Sequence, residues 1–472
     1  MSHVLDTPIS DIVSAVKSGE ITATELVREA LERARHDKNH SLLELIEERA
    51  IEQAKEIDKK PEGKLAGVPF IAKDNFLTFG SKTTAASHML GNFKAPFQST
   101  AVERLEAEGA ICIAKANLDA FAHGSSTENS DFGPTTNPHD ETRVPGGSSG
   151  GSAASVALNI APFALGTDTG GSIRLPASFT GTVGFKPTYG LVSRYGVVAM
   201  ASSTDVIGPI ARSVEDVALV FDVLAGNDWR DSTMIERDQT SYASLSKPKQ
   251  LKIGVISEFM TDSLDSEVSR STKEAIELLK QTGAEVEEVH IPAVEHSLAC
   301  YYIIVPAEIS SNLARFDGIR YGFSERSGES LDDVYKNSRT NGFGPEAKRR
   351  IMIGNYVLSS GYYDAYYKKA MQVRTLLVDQ FNKAFEKYDV LVSPVAPTPA
   401  FKLGENDQDP LQMYLADIMT VGVSLVGAPA VSVPVRPTAS GLPIGLQIIG
   451  AQRSDKIVLE VARTVEENVE NG

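Results

Sequence analysis

The chain has 472 residues, 42% of them hydrophobic and 23% charged. These values suit a core-forming globular protein and exclude a disordered chain or a fibrous repeat. Lys plus Arg is 46 against 62 for Asp plus Glu, a net charge of −16, and an acidic surface of that size argues against a protein that grips nucleic acid alone through a broad basic face.

The first twenty residues, MSHVLDTPISDIVSAVKSGE, lack a basic stretch followed by an apolar one, so no secretion signal is expected. In ITATELVREALERAR, Ala23, Leu26, Val27, Ala30, Leu31 and Ala34 recur at helical spacing, and Thr22 with Glu25 makes a capping box. LAGVPFIAKDN reads as a short buried strand with Lys73 at its exit, TAVERLEAEGA as a helix and ICIAKAN as a strand. This alternation predicts an α/β fold, with a central mixed sheet covered by helices on both faces. Thirteen of the 37 glycines then fall between Gly124 and Gly196. Apolar strands and an Ala-rich helix, SAASVAL, run through that stretch, so it cradles something rather than linking domains.

Residues 226–250 are polar and aperiodic, as in a surface connection. A new unit follows: strand LKIGVIS, a helix around SRSTKEAIELLKQT ended by Gly283, and strand AEVEEVHI. Tyr362 to Lys387 predicts one long aromatic-rich helix leading into strand DVLVSP. Strands AVSVPV and IGLQIIG and a helix near SDKIVLEVARTVEE finish the chain. No run approaches about 18 uninterrupted apolar residues, so no membrane span is expected and a cytoplasmic protein fits. Cys112 and Cys300 sit in apolar surroundings outside any Cys/His cluster and read as inert core thiols, with no structural metal site.

The chemistry concentrates in VPGGSSGGSAASVALNIAPFALGTDTGGSIRLPA, which holds two Gly-Gly-Ser turns, GGSSGG at 146–151 and TGGS at 169–172. A serine hydroxyl needs a base to take its proton and donors to hold the developing oxyanion. The glycines before Ser172 let successive N–H groups converge, which makes Thr169, Gly170, Gly171 and Ser172 the candidate oxyanion donors. None of the eight histidines lies in a recognisable triad motif. A lysine can serve as base when burial lowers its pKa, and Lys73, directly after the apolar run AGVPFIA, is the candidate. Asp168 and Arg174 flank the Ser172 turn and read as a structural ion pair. Ser149 and Ser152 read as local turn and helix-cap residues.

Taken together, Lys73, GGSSGG and TGGSIR resemble the amidase signature family of serine hydrolases, over about residues 20–455. The resemblance implies a Ser–cis-Ser–Lys triad: Ser172 the nucleophile, Ser148 the bridging serine entered through a cis peptide, and Lys73 the base. AHGSSTENSDFGPTTNP, VGFKPTYGLVSRYGVVAMASSTDVIGPIAR, SSNLARFDGIRYG, KRRIMIGNYVLSSGYYDAYYKKA and DPLQMYLADIMT further resemble the A subunits of bacterial tRNA-dependent amidotransferases. Proteins of that group hydrolyse glutamine and pass ammonia on. By this resemblance Arg350 pairs with the glutamine carboxylate and Asp417 with its ammonium. Tyr301, Ser125 and Ser126 line the pocket.

The resemblance also implies a heterotrimer. A B subunit binds Glu-tRNA(Gln) or Asp-tRNA(Asn) and uses ATP and Mg²⁺, and a small C subunit wraps the interface, so this chain binds no cofactor itself. Ala120, Leu175, Thr180 and Thr182 depart from the usual subgroup pattern near the site. The alternatives are a stand-alone amidase acting on a small or aliphatic amide, a nucleotide-binding module and a non-catalytic scaffold. Neither GxxxxGK[ST] nor a strand–GxGxxG–helix unit supports the nucleotide-binding module. Length alone suggests about three domains at roughly 150 residues each. Lys73, Ser172 and Asp417 must meet in one site, however, so one domain over 1–472 is expected. Its catalytic core would be about 60–225, with a second part, about 250–465, supplying pocket residues.

Overall fold

The buried apolar runs pair into one mixed sheet of eleven strands. The structure, a computed structural model, describes residues 3–239, 241–406 and 409–470. The strands are β1 (Leu42–Leu45), β2 (Pro69–Lys73), β3 (Ile111–Ala116), β4 (Phe163–Asp168), β5 (Val183–Lys186), β6 (Val206–Ala211), β7 (Lys252–Ile256), β8 (Glu285–Val289), β9 (Val390–Pro394), β10 (Ala430–Val435) and β11 (Ile444–Gly450). Across the sheet they lie in the order β1-β3-β2-β4-β6-β5-β10-β11-β9-β7-β8. β2 runs parallel to β3 and β4, and β7 parallel to β8 and β9. The other neighbours are antiparallel.

The α-helices are α1 (Ile9–Ser18), α2 (Ala23–Arg35), α3 (Glu47–Lys59), α4 (Thr100–Ala107), α5 (Gly150–Ala157), α6 (Arg174–Thr180), α7 (Val214–Leu224), α8 (Ser266–Gln281), α9 (Ser297–Asn312), α10 (Leu331–Gly342), α11 (Pro345–Leu358), α12 (Lys368–Phe385), α13 (Pro410–Leu415), α14 (Val421–Leu425) and α15 (Asp455–Glu470). Every residue of β2, β3, β4, β5, β6, β9 and β11 is buried. Side chains alternate between the two faces of a strand, so full burial requires cover on both faces, as in the expected α/β class. Among the described residues, no helix is long and apolar enough to cross a membrane.

Local chemistry accounts for the element ends. The Thr22 hydroxyl accepts the Glu25 N–H while the Glu25 carboxylate accepts the Thr22 N–H, the reciprocal cap expected at the start of α2. The apolar stripe of α2 is buried from Ala23 to Ala34, and each buried Leu or Val contributes about 1.5–3 kcal/mol. Asp265 caps α8 by accepting the Glu267 and Val268 N–H groups. The long helix expected from Tyr362 divides instead into a π turn at Tyr363–Tyr367 and α12. The wide turn sets the Tyr362 and Tyr366 rings against Tyr356, with Tyr356–Tyr362 centroids 4.3 Å apart. The 226–250 connection is irregular but anchored: Tyr242 is fully buried against Phe221, 4.5 Å between centroids. Thr240 within that connection lies outside the described residues.

The topology gathers the chemistry-bearing turns at one edge. β2 and β4 are parallel neighbours with Ala72 opposite Leu165. Both strands therefore end on the same side of the sheet, one at Lys73 and the other at the turn that carries Ser172.

Candidate active site

Lys73 is fully buried at the end of β2. Its Nζ lies 2.8 Å from Ser148 Oγ, 2.9 Å from Ser149 Oγ and 2.9 Å from Thr167 Oγ1. Burial disfavours the ammonium and pushes the Lys73 pKa down to about 7, although Asp119, Asp168 and Asp205 oppose the fall. A neutral amine has two N–H bonds and one lone pair. Ser149 and Thr167 can accept the two hydrogens, which leaves the lone pair facing the Ser148 hydroxyl. The Gly147–Ser148 peptide is cis. The expected role of Ser149 needs correcting: it makes no side-chain cap bond to α5 and instead joins Lys73 to the Thr167 carbonyl, 3.2 Å away. Ser152 likewise bonds the Leu165 carbonyl at 2.9 Å, fastening α5 to β4 rather than capping it.

The Ser172 turn rests on a buried ion pair. Arg174 Nη2 is 2.9 Å from Asp168 Oδ1, and both side chains are fully buried. Burial works against the Asp168 charge, but Arg174 outweighs it and holds the carboxyl below its usual range. The guanidinium also donates to Gln447 Oε1 at 2.6 Å and to Ser424 Oγ at 2.9 Å, so α14 and β11 share in holding it. One expected oxyanion donor departs from the sequence reading. The Gly171 N–H already donates to Asp168 Oδ1 at 2.8 Å, because the buried carboxylate takes the donors within reach. Among the described residues, the N–H groups of Thr169, Gly170 and Ser172 make no internal backbone bond. Gly171 has φ +143, and a Cβ there would lie 2.3 Å from Thr420 Oγ1, so only glycine fits. The Ser149 N–H donates to the Ser172 carbonyl at 3.1 Å and joins the two turns. Ser172 is 7% exposed whereas Lys73 and Ser148 are 0%, which makes Ser172 the member of the group open to a ligand.

Of the expected pocket residues, Tyr301 and Asp417 pack against the same turn. A Cβ on Gly170 would lie 2.6 Å from the Tyr301 hydroxyl, so that ring forms the wall beside the turn. Asp417 is buried, accepts the Ser125 hydroxyl at 2.7 Å, and is pushed up to about 7 by burial. A Cβ on Gly171 would lie 3.4 Å from its Oδ1. Ser126 is fully buried, and its hydroxyl accepts the Glu128 N–H at 3.3 Å. Arg350 is buried on α11 rather than solvated in its charge run. Its Nε donates to Glu346 Oε1 at 2.8 Å, and its guanidinium lies 5.3 Å from the Tyr302 ring centre and 5.7 Å from that of Tyr414. Burial works against this cation, but Tyr302 and Glu346 keep its pKa above the usual range.

A family model described as Amidase matches residues 25–459. The chain belongs to the amidase family. The A subunit of glutamyl-tRNA(Gln) amidotransferase from Thermoanaerobacter pseudethanolicus is 51% identical over 467 residues, covering 97% of this amidase and 96% of the relative. The protein of that name from Synechococcus is 52% identical over 460 residues, covering 96% and 90%. Among solved structures, that of the glutamyl-tRNA(Gln) amidotransferase A subunit from Thermotoga maritima is 40% identical with a TM-score of 0.82, covering 98% of this chain and 95% of the other. The native peptide amidase of Stenotrophomonas maltophilia is 28% identical with a TM-score of 0.82, covering 98% and 97%.

Several residues of this amidase site escape sequence reasoning. Glu346 stands four residues before Arg350 on one helix, a spacing that could have flagged the pair. Thr167, Tyr302 and Tyr414 carry no such signal, because only tertiary packing brings them to Lys73 or Arg350. The two cysteines behave as expected: both are buried, and burial pushes each thiol up to about 12.

Proposed function

We propose that this chain is the glutamine-hydrolysing subunit of a tRNA-dependent amidotransferase. The observation that carries the reading is the fully buried Lys73 with its Nζ 2.8 Å from Ser148 Oγ. About half of the chain's residues are shared with relatives that bear the name of the amidotransferase A subunit.

In this reading neutral Lys73 takes a proton from Ser148, and Ser148 takes one from Ser172. Ser172 Oγ attacks the side-chain amide carbon of glutamine, and the N–H groups of Thr169, Gly170 and Ser172 hold the oxyanion, the Gly171 N–H being taken by Asp168. The relay returns the proton to the leaving nitrogen and ammonia departs. Water then hydrolyses the acyl-enzyme to glutamate and restores Ser172. Arg350 holds the substrate carboxylate and Asp417 its ammonium. Tyr301, Ser125 and Ser126 shape the pocket. Asp168 and Arg174 hold the turn without touching substrate.

Residues 60–225 thus supply the hydrolytic groups, and 250–465 most of the pocket. The ammonia goes to a B subunit that uses ATP and Mg²⁺ on Glu-tRNA(Gln) or Asp-tRNA(Asn), with a C subunit completing a cytoplasmic heterotrimer. The test is ammonia release from glutamine by the chain co-expressed with its partners. Ser172→Ala should abolish it. Retained glutamine hydrolysis in that variant overturns the mechanism. Hydrolysis of simple aliphatic amides but not glutamine overturns the substrate and points to a stand-alone amidase.

A further inference from the structure

Asp119 follows β3 and is fully buried. Its backbone N–H donates to the Ser148 carbonyl at 3.3 Å. Its carboxylate accepts the Thr127 N–H at 2.9 Å and the Asn129 N–H at 3.1 Å, and among the described residues it pairs with no side-chain cation. The loop that carries Ser125 and Ser126 is therefore folded around this carboxylate. The carboxylate also presses on the Gly147–Ser148 backbone: a Cβ on Gly147 would lie 2.2 Å from Asp119 Oδ2. On the loop side, a Cβ on Gly124 would lie 2.4 Å from its Oδ1. Both backbones approach the carboxylate more closely than any side chain would permit.

We propose that Asp119 is a positioning residue for hydrolysis: it fixes the Gly147–Ser148 peptide against the pocket loop and sets a negative charge opposite the ammonium that forms on Lys73. The inference rests on the reading of Lys73 as base. Three carboxylates act on Lys73 through their charge: Asp119 after β3, Asp168 at the end of β4 and Asp205 before β6. Asp168 is balanced by Arg174. Asp205 is bonded to the Thr169 hydroxyl at 2.7 Å and to the Met200 and Ala201 N–H groups. Asp119 is the one that also holds the Ser148 backbone. When Lys73 gains a proton in this dry site, the charge of Asp119 offsets the charge that develops.

The experiment is the pH dependence of glutamine hydrolysis in the assembled complex for native protein and Asp119→Asn, which keeps the shape and removes the charge. Without the anion, Lys73 gives up its proton more easily. The acidic limb of kcat should move to lower pH by about 0.5 unit or more, and plateau kcat should fall about tenfold or more with KM near the native value. A folded Asp119→Asn protein with native kcat and an unmoved limb overturns the proposal. So does a fall in kcat with the limb unmoved, which marks a merely structural role. Asp119→Glu, which keeps the charge, serves if the first variant does not fold. It should keep the limb near its native pH while kcat falls, and a limb displaced as far as that expected for Asn overturns the proposal. Lys73→Ala and Ser172→Ala separate the two readings. If either remains active, the function reading fails; if both are inactive and Asp119→Asn behaves as native, only the role of Asp119 fails.

Discussion

If Asp417 holds the substrate ammonium as proposed, its ionisation should govern glutamine binding. Burial pushes its carboxyl up to a pKa of about 7. Only the carboxylate form can pair with an ammonium. As pH falls through 7, Asp417 takes up a proton and the ligand must displace it. KM for glutamine should therefore rise below pH 7, approaching tenfold per pH unit. Asp417→Asn should raise KM at neutral pH and flatten this dependence, which steady-state kinetics across the neutral range will read. At this scale the sequence is legible where a residue type carries its own chemistry. Gly-Gly before Ser172 and a lysine after an apolar run are local patterns. The ring faces of Tyr302 and Tyr414 over Arg350 are not, because α9 and α13 meet α11 only in the folded chain.

The unit formed by β4, the Ser172 turn and α6 is held from within by Asp168 and Arg174. Both charges are out of water, so removing one leaves the other unpaired. Arg174→Met should destabilise the protein by about 3–5 kcal/mol. A lowered urea midpoint, together with a lower yield of folded complex, checks this. A native midpoint would mean that the Gly171 and Ile173 N–H groups and the Ser424 hydroxyl hold Asp168 without the cation. Elements of this kind are readable wherever burial is complete, since β2 and β4 are apolar runs ended by polar residues. β1 has four half-buried residues and offers no such contrast. The π turn after α11 has the pattern of a helix because its tyrosines fit either backbone, and ring packing among Tyr356, Tyr362 and Tyr366 goes with the wider turn.

Across the whole molecule, the net charge of −16 coexists with two buried lysines, Lys73 and Lys186, that have no carboxylate in ion-pair contact among the described residues. Burial pushes both down to about 7 from the usual 10.5. Between those limits the unfolded chain holds protons that the folded chain has released, so these groups make stability rise with pH. Their combined slope reaches about 3 kcal/mol per pH unit near pH 8–9. Lys186→Met should remove about half of it, as measured by urea midpoints at two pH values in that window. The order of the sheet is not legible in the sequence at all. β5 pairs with β10, and Arg174 reaches Gln447 on β11, across more than half of the chain.

That last link bears on synthesis. A nascent chain emerging from the ribosome has Lys73, Ser148 and Ser172 available long before β11 is made. Arg174 then lacks its Gln447 and Ser424 partners, Asp417 has not arrived, and β5 has an open edge. The surroundings of the Ser172 turn can be completed only when the last sixth of the chain is in place. Truncated or stalled products should release no ammonia, so the enzyme is silent until it is whole.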